Sequence, residues 1–187
     1  MLQTALHFSH TLLKEVIEPG NHVIDATMGN GHDTELLASL VGSSGKVYAF
    51  DVQETAIANT AKRLEAAQLS KQVELLHQGH ETISEALPSN TTVKAAIFNL
   101  GYLPKSDKEI ITQPATTEIA VNAVLERLTA KGRIILVVYY GHEGGERELE
   151  MVQQLCQNLP QKLYNVLTYQ FINQMNQPPI LYCIEKK

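Results

Sequence analysis

Residues 22–38, "HVIDATMGNGHDTELLA", decide the fold. An apolar run ends in an acid, Asp25. It then passes through a turn in which Gly29 and Gly31 flank Asn30, and helix-forming sequence follows at once. One glycine suffices for an ordinary connection. Two beside an acid predict a backbone that comes close to a ligand, because glycine carries no Cβ and accepts positive φ.

Outward from this turn the pattern repeats. Runs rich in Val, Ile, Tyr and Phe at 22–27, 46–52, 73–79, 93–100 and 132–140 predict strands. The stretches 32–41, 54–68, 80–87, 115–130 and 144–158 predict helices between them. Strand and helix in alternation imply right-handed crossovers and a mostly parallel sheet covered on both faces. The end breaks the rhythm. "YNVLTYQFINQ" and "PPILYCIEKK" are strand-like with only a short Met-Asn-Gln-Pro-Pro link, so an antiparallel hairpin should close one sheet edge. Five parallel strands and a terminal hairpin differ from the six parallel strands of dinucleotide-binding domains. The arrangement resembles the seven-stranded Rossmann-like α/β fold of S-adenosylmethionine-dependent methyltransferases.

The composition fits one domain over residues 1–187. Apolar content of 44% and charged content of 19% belong to a globular chain. No apolar run reaches the ~18 residues of a membrane span. Residues 1–20 hold no early basic cluster and read as an amphipathic helix that caps the site, with His7, Ser9 and His10 at the pocket mouth or, the favoured alternative, on its solvated face. Cys156 and Cys183, two and far apart, point to buried thiols in a reduced cytoplasmic protein. A net charge of −5 weighs against broad, charge-driven nucleic-acid binding and leaves room for a compact RNA element on a local basic patch.

In a doubly wound sheet the ligand lies beyond the carboxyl ends of the strands, where strand order reverses. Gly29, Asn30 and Gly31 should bring backbone N–H groups to an anionic group there. Asp51 ends the second strand 20 residues after Gly31, where a carboxylate accepts ribose hydroxyls. Together these predict an adenosine-containing ligand. A third fingerprint glycine is missing, with Thr34 in its place, and Asp33 sits where a pyrophosphate would lie. S-adenosyl-L-methionine suits the loop better: Asp25 can pair with its ammonium while loop N–H groups take its carboxylate. Gln53 can reach the ribose or adenine, and Gly79, His80 and Glu81 follow the third strand where adenine edges are covered. His77 and His80, with no nearby Cys, do not make a zinc site.

"AIFNLGYLPKSD" carries the chemistry. An amine to be methylated must present its lone pair in line with the methyl–sulfur bond. An amide oxygen at Asn99 and a neighbouring carbonyl can accept the amine hydrogens and orient it so. Tyr102 supplies a flat wall and Pro104 stiffens the turn. The segment resembles the Asn/Asp-Pro-Pro-Tyr motif of amino-group methyltransferases, with Leu-Gly after the Asn. His142, in "YYGHEGG", can relay a proton. Lys105, Lys108, Thr116 and Thr117 flank the segment and are candidates to meet an RNA backbone. Neither cysteine is placed to act as a carbon-methylation nucleophile, so nitrogen is the expected acceptor.

The combination "DATMGNGHDT", "FDVQ", "GHE" and "NLGYLPKSDK", with the later "YYGHEGG", resembles one small family of bacterial methyltransferases, the MnmM or YtqB family, over nearly the whole chain. The resemblance implies a single class I methyltransferase domain. It implies methylation of the aminomethyl group of 5-aminomethyl-(2-thio)uridine at the tRNA wobble position. The anticodon stem-loop is then the partner, and a homodimer in the cytoplasm the working form. Catalytic residues would be Asn99, Tyr102 and His142. The cofactor would meet Asp25, Thr27, Gly29, Asn30, Gly31, Asp33, Thr34, Asp51, Gln53, Gly79, His80, Glu81 and Asn99. Gly101, Pro104, Lys105 and Tyr140 would meet the substrate. An rRNA or small-amine methyltransferase shares every cofactor residue. A nicotinamide-dependent oxidoreductase and a non-catalytic cofactor sensor fit fewer features.

Overall fold

A computed structural model describes residues 1–101 and 112–187. The apolar runs pair as β1 (His22–Asp25), β2 (Lys46–Asp51), β3 (Val73–His77), β4 (Val93–Leu100), β5 (Leu128–Val138), β6 (Tyr164–Tyr169) and β7 (Ile180–Lys186). They form one sheet in the order β3-β2-β1-β4-β5-β7-β6. β1 to β5 run parallel, and β7 lies antiparallel between β5 and β6. The order reverses between β1 and β4, which places the crevice at their carboxyl ends.

Alternation along each strand builds two cores. Ile24, Phe50, Phe98 and Leu136 face one side, packed by α4 (Ile83–Ala86), α5 (Pro114–Arg127) and α6 (Gly145–Asn158). Val23, Val47, Ile97 and Ile135 face the other, under α1 (Ala5–Lys14), α2 (His32–Val41) and α3 (Glu54–Ala66). Both faces of β4 are therefore apolar, as a central parallel strand requires. Arg133 on β5 pins α1 to the sheet by donating to Leu12 O, Glu15 and Glu185.

Several boundaries differ from expectation. The first helix covers ten residues of the expected 1–20, begun by Thr4, whose hydroxyl accepts the His7 N–H. The helix expected at 80–87 splits into a 3-10 turn, His80–Thr82, and the single turn of α4. β5 begins at Leu128, before the expected 132, with Lys131 at φ 57° beside a register shift against β4. β6 stops at Tyr169, so its link to β7 is longer than the expected five residues and holds Asn176 and Gln177 at positive φ. Pro178 and Pro179 have no N–H with which to extend the ladder. Among the described residues no helix is long and apolar enough to cross a membrane.

Candidate active site

The glycine turn sits where the sequence puts it. Gly29 and Gly31 adopt φ of 53° and 79°, and a Cβ on Gly31 would come within 2.8 Å of the Thr60 hydroxyl. Side chains from neighbouring elements hold the turn. Asp51 at the end of β2 accepts the N–H of Gly29 (3.0 Å) and of Gln53 (2.9 Å). Thr60 on α3 donates to Gly29 O, and Arg63 donates from Nε to Asn30 O while its Nη1 meets Glu35. Two of the loop N–H groups expected to meet an anionic group are thus taken within the protein, Gly29 by Asp51 and Gly31 by Met28 O (2.8 Å), while Thr60 and Arg63 hold the loop by its carbonyls.

Above the turn lies a cavity of about 1180 Å³ at the carboxyl ends of β1, β2 and β4. From the first loop and α2 it is lined by Thr27, Gly29, Asn30 and Asp33. From β2 and the following turn come Asp51 and Gln53, and after β3 come Gly79, His80 and Glu81. Asn99, Gly101 and His142 complete the expected set. Tyr102, Pro104, Lys105 and Lys108 lie outside the described residues. Among the described lining residues the acids are Asp33, Asp51 and Glu81, and there is no Lys or Arg. Such a cavity suits a cationic ligand and opposes a pyrophosphate.

Four expected residues do not reach the cavity surface. Asp25 is fully buried beneath the loop, accepting the Thr34 hydroxyl (2.6 Å) and the Thr27 N–H (3.2 Å). Burial, helped by the charge of Asp33, pushes its carboxyl up to about 7 against those two hydrogen bonds. Thr34 is its buried partner, and Gly31 faces Thr60. Tyr140 packs on the core, whereas Tyr139 lines the cavity. Consecutive residues leaving a strand point opposite ways, which exchanges the two.

The end of β4 holds the decisive group. The Asn99 backbone N–H donates to the Thr27 hydroxyl (2.8 Å). Its side-chain Nδ2 donates to Asp33 Oδ2 at 2.6 Å. Asn99 Oδ1 is buried and has no partner among the described residues. An acceptor left so costs roughly 1–3 kcal/mol unless a ligand donor meets it.

His80 is buried, with Nδ1 3.0 Å from the carbonyl of Ala26. A carbonyl only accepts, so Nδ1 carries the proton. Burial lowers the His80 pKa, which leaves a neutral ring with its Nε2 lone pair free to accept. Thr117 stands 3.5 Å from that nitrogen and donates to Glu148 (2.7 Å). Thr117 is therefore fully buried and is no RNA contact; Thr116 beside it lines the cavity. Glu148 also accepts from Thr112 (2.5 Å), whose hydroxyl in turn accepts the Gly101 N–H (2.9 Å) while its own N–H donates to Gly101 O (3.0 Å).

Of the two places open to His10, the pocket mouth and the solvated face, the less favoured one holds: His10 and Leu6 line the cavity. Their i, i+4 spacing was the available signal. Ser9 is buried and donates to Leu6 O (2.6 Å). Neither Cys156 nor Cys183 lines the cavity, and burial pushes each thiol up to about 12.

The sheet order, the reversed seventh strand and this crevice define a class I methyltransferase fold. Comparison with known proteins agrees. A Thermotoga maritima SAM-dependent O-methyltransferase, 18% identical, superposes with a TM-score of 0.67 over 96% of this chain and 63% of that one, a likeness of fold. Residues 47–185 match the family described as "Putative rRNA methylase". A Clostridium thermocellum structure described as a "putative rRNA-methylase" is 44% identical, with TM-score 0.97 and full coverage of both chains. A Streptococcus mutans "putative methyltransferase" in complex with SAH is also 44% identical, with TM-score 0.91 and full coverage. The chloroplastic tRNA (mnm(5)s(2)U34)-methyltransferase of Arabidopsis thaliana is 38% identical over 98% of this chain and 70% of its own. The chain belongs to this methylase family.

Proposed function

We propose that the protein transfers a methyl group from S-adenosylmethionine to the aminomethyl nitrogen of 5-aminomethyl-(2-thio)uridine at the wobble position of tRNA. The buried Oδ1 of Asn99, without a partner among the described residues, carries this reading. It sits at the carboxyl end of the central strand, in a cavity whose acids fit an adenosyl cation. The plant relative is named for that uridine.

The residues divide the work. Asp51 takes the ribose hydroxyls with the lone pairs that Gly29 and Gln53 leave free. His80 and Glu81 lie along the adenine edge, and Asp33, both oxygens held by His10 and Asn99, contributes its charge to the ammonium end without a direct bond. The bound cofactor supplies a methyl on a positively charged sulfur. Asn99 Oδ1 accepts an N–H of the substrate amine and turns its lone pair towards that methyl. The amine must first lose a proton. For a lysine-like pKa near ~10.4 the neutral form at pH 7 costs roughly 4–5 kcal/mol, which the uracil and desolvation reduce. His142 at the cavity edge is the candidate relay. Tyr102, Pro104 and Lys105 are proposed to meet the nucleoside, and the enzyme to work as a cytoplasmic homodimer.

Mass spectrometry of wobble nucleosides from a deletion strain tests the reading. Methylaminomethyl uridine should vanish and aminomethyl uridine accumulate. Unchanged levels, with loss of a methyl from rRNA instead, would hand the function to the reading that the family description carries. With purified protein, Asn99→Ala should abolish transfer and leave SAH binding by calorimetry within a few-fold.

A further inference from the structure

Asp33, at the start of α2, is held from two sides. His10 of α1 places Nε2 2.6 Å from its Oδ1, and Asn99 of β4 places Nδ2 2.6 Å from its Oδ2. An ionised carboxylate only accepts, so both partners donate: His10 carries its proton on Nε2, and Asn99 presents its NH₂ group. This settles the amide end for end. Turned over, Asn99 Oδ1 would face the carboxylate oxygen and two acceptors would repel. The only other end of the amide, Oδ1, is the buried acceptor without a partner among the described residues.

One bond to Asn99 would not fix the carboxylate plane. Asp33 could still rotate Oδ1 towards the cavity, where a substrate ammonium would capture it and stay charged. His10 occupies that oxygen. Its side chain is 24% exposed and that of Asp33 only 9%, so the bond is formed where water competes weakly.

We propose that His10 is a positioning residue for methyl transfer: through Asp33 it orients the Asn99 amide and keeps the acid from trapping the amine as its ammonium. The helix outside the sheet thereby belongs to the catalytic apparatus. The inference rests on the amine-methylation reading above, and its tests separate the two.

Steady-state kinetics on tRNA from the deletion strain should show kcat of His10→Ala lowered roughly 10-fold, with KM for S-adenosylmethionine and SAH affinity within 2-fold of wild type. His10→Gln, whose amide N–H reaches as far as Nε2, should recover most of the rate. A kcat equal to wild type in His10→Ala, or a loss that Gln does not repair, overturns the proposal. A second measurement needs no turnover. In a ¹⁵N-labelled sample the side-chain NH₂ signal absent from Asn99→Ala should be shifted by its bond to the carboxylate and should move in His10→Ala. A signal unmoved by the substitution also overturns it. Wild-type enzyme inactive on that tRNA, with the NH₂ signal moving as expected, removes the amine reading and leaves the clamp.

Discussion

Asp25→Asn tests whether the acid beneath the glycine loop is held neutral. The unfolded chain ionises this group near 3.8, whereas burial and the neighbouring charge of Asp33 push the folded value up to about 7. Between those values the folded state keeps a proton that the unfolded state has lost. The group therefore favours folding at low pH, and that advantage disappears as pH rises towards about 7. Each unit is worth about 1.4 kcal/mol. Integrated between pH ~4.5 and ~7.5, wild type should lose about 3 kcal/mol through this residue alone. The permanently neutral amide loses none of it. For a chain of this size that difference corresponds to roughly 6–12 °C in Tm. Thermal unfolding of both proteins across the window should give diverging profiles, the variant gaining on wild type as pH rises. Parallel profiles would show that Asp25 ionises normally, and the account of a desolvated acid beneath the loop would be wrong.

Gly31→Ala should lower stability by more than ~1 kcal/mol, since its φ of 79° and the Thr60 hydroxyl at 2.8 Å both resist a Cβ; urea unfolding measures it, and SAH affinity should fall with it. Native protein at pH 8 should leave Cys156 and Cys183 unreacted with a thiol reagent for as long as it stays folded, because both thiols are buried and pushed up to about 12. Fast labelling without unfolding would contradict that burial.

The fold was legible because parallel strands buried on both faces read as unbroken apolar runs. "VKAAIFNL" and "GRIILVV" could be little else, and "DATMGNG" marked the crevice. The C-terminal hairpin was legible as a reversal but not in its link, since "QFINQ" continues the strand pattern while only tertiary pairing decides where the ladder stops. Asn99 and Asp51 could be placed because strand ends fix their surroundings. His10 was legible only as one of two alternatives: its partner is 23 residues away on another helix, and a histidine on an amphipathic turn looks much the same facing water. Tyr139 and Tyr140 are likewise indistinguishable by type, and only the direction in which the chain leaves β5 separates them. Asp25 looked like a ligand for a cation, and its pairing with Thr34 belongs to a geometry that the linear order does not display.

The mutual hydrogen bonds between Gly101 and Thr112, fastened to Glu148, join the two ends of a ten-residue stretch to the scaffold. With the ends already joined, even a doubling of the number of residues between them adds only ~0.6 kcal/mol of closure entropy. Sequence change between Gly101 and Thr112 is therefore tolerated by the rest of the fold at almost no cost in stability.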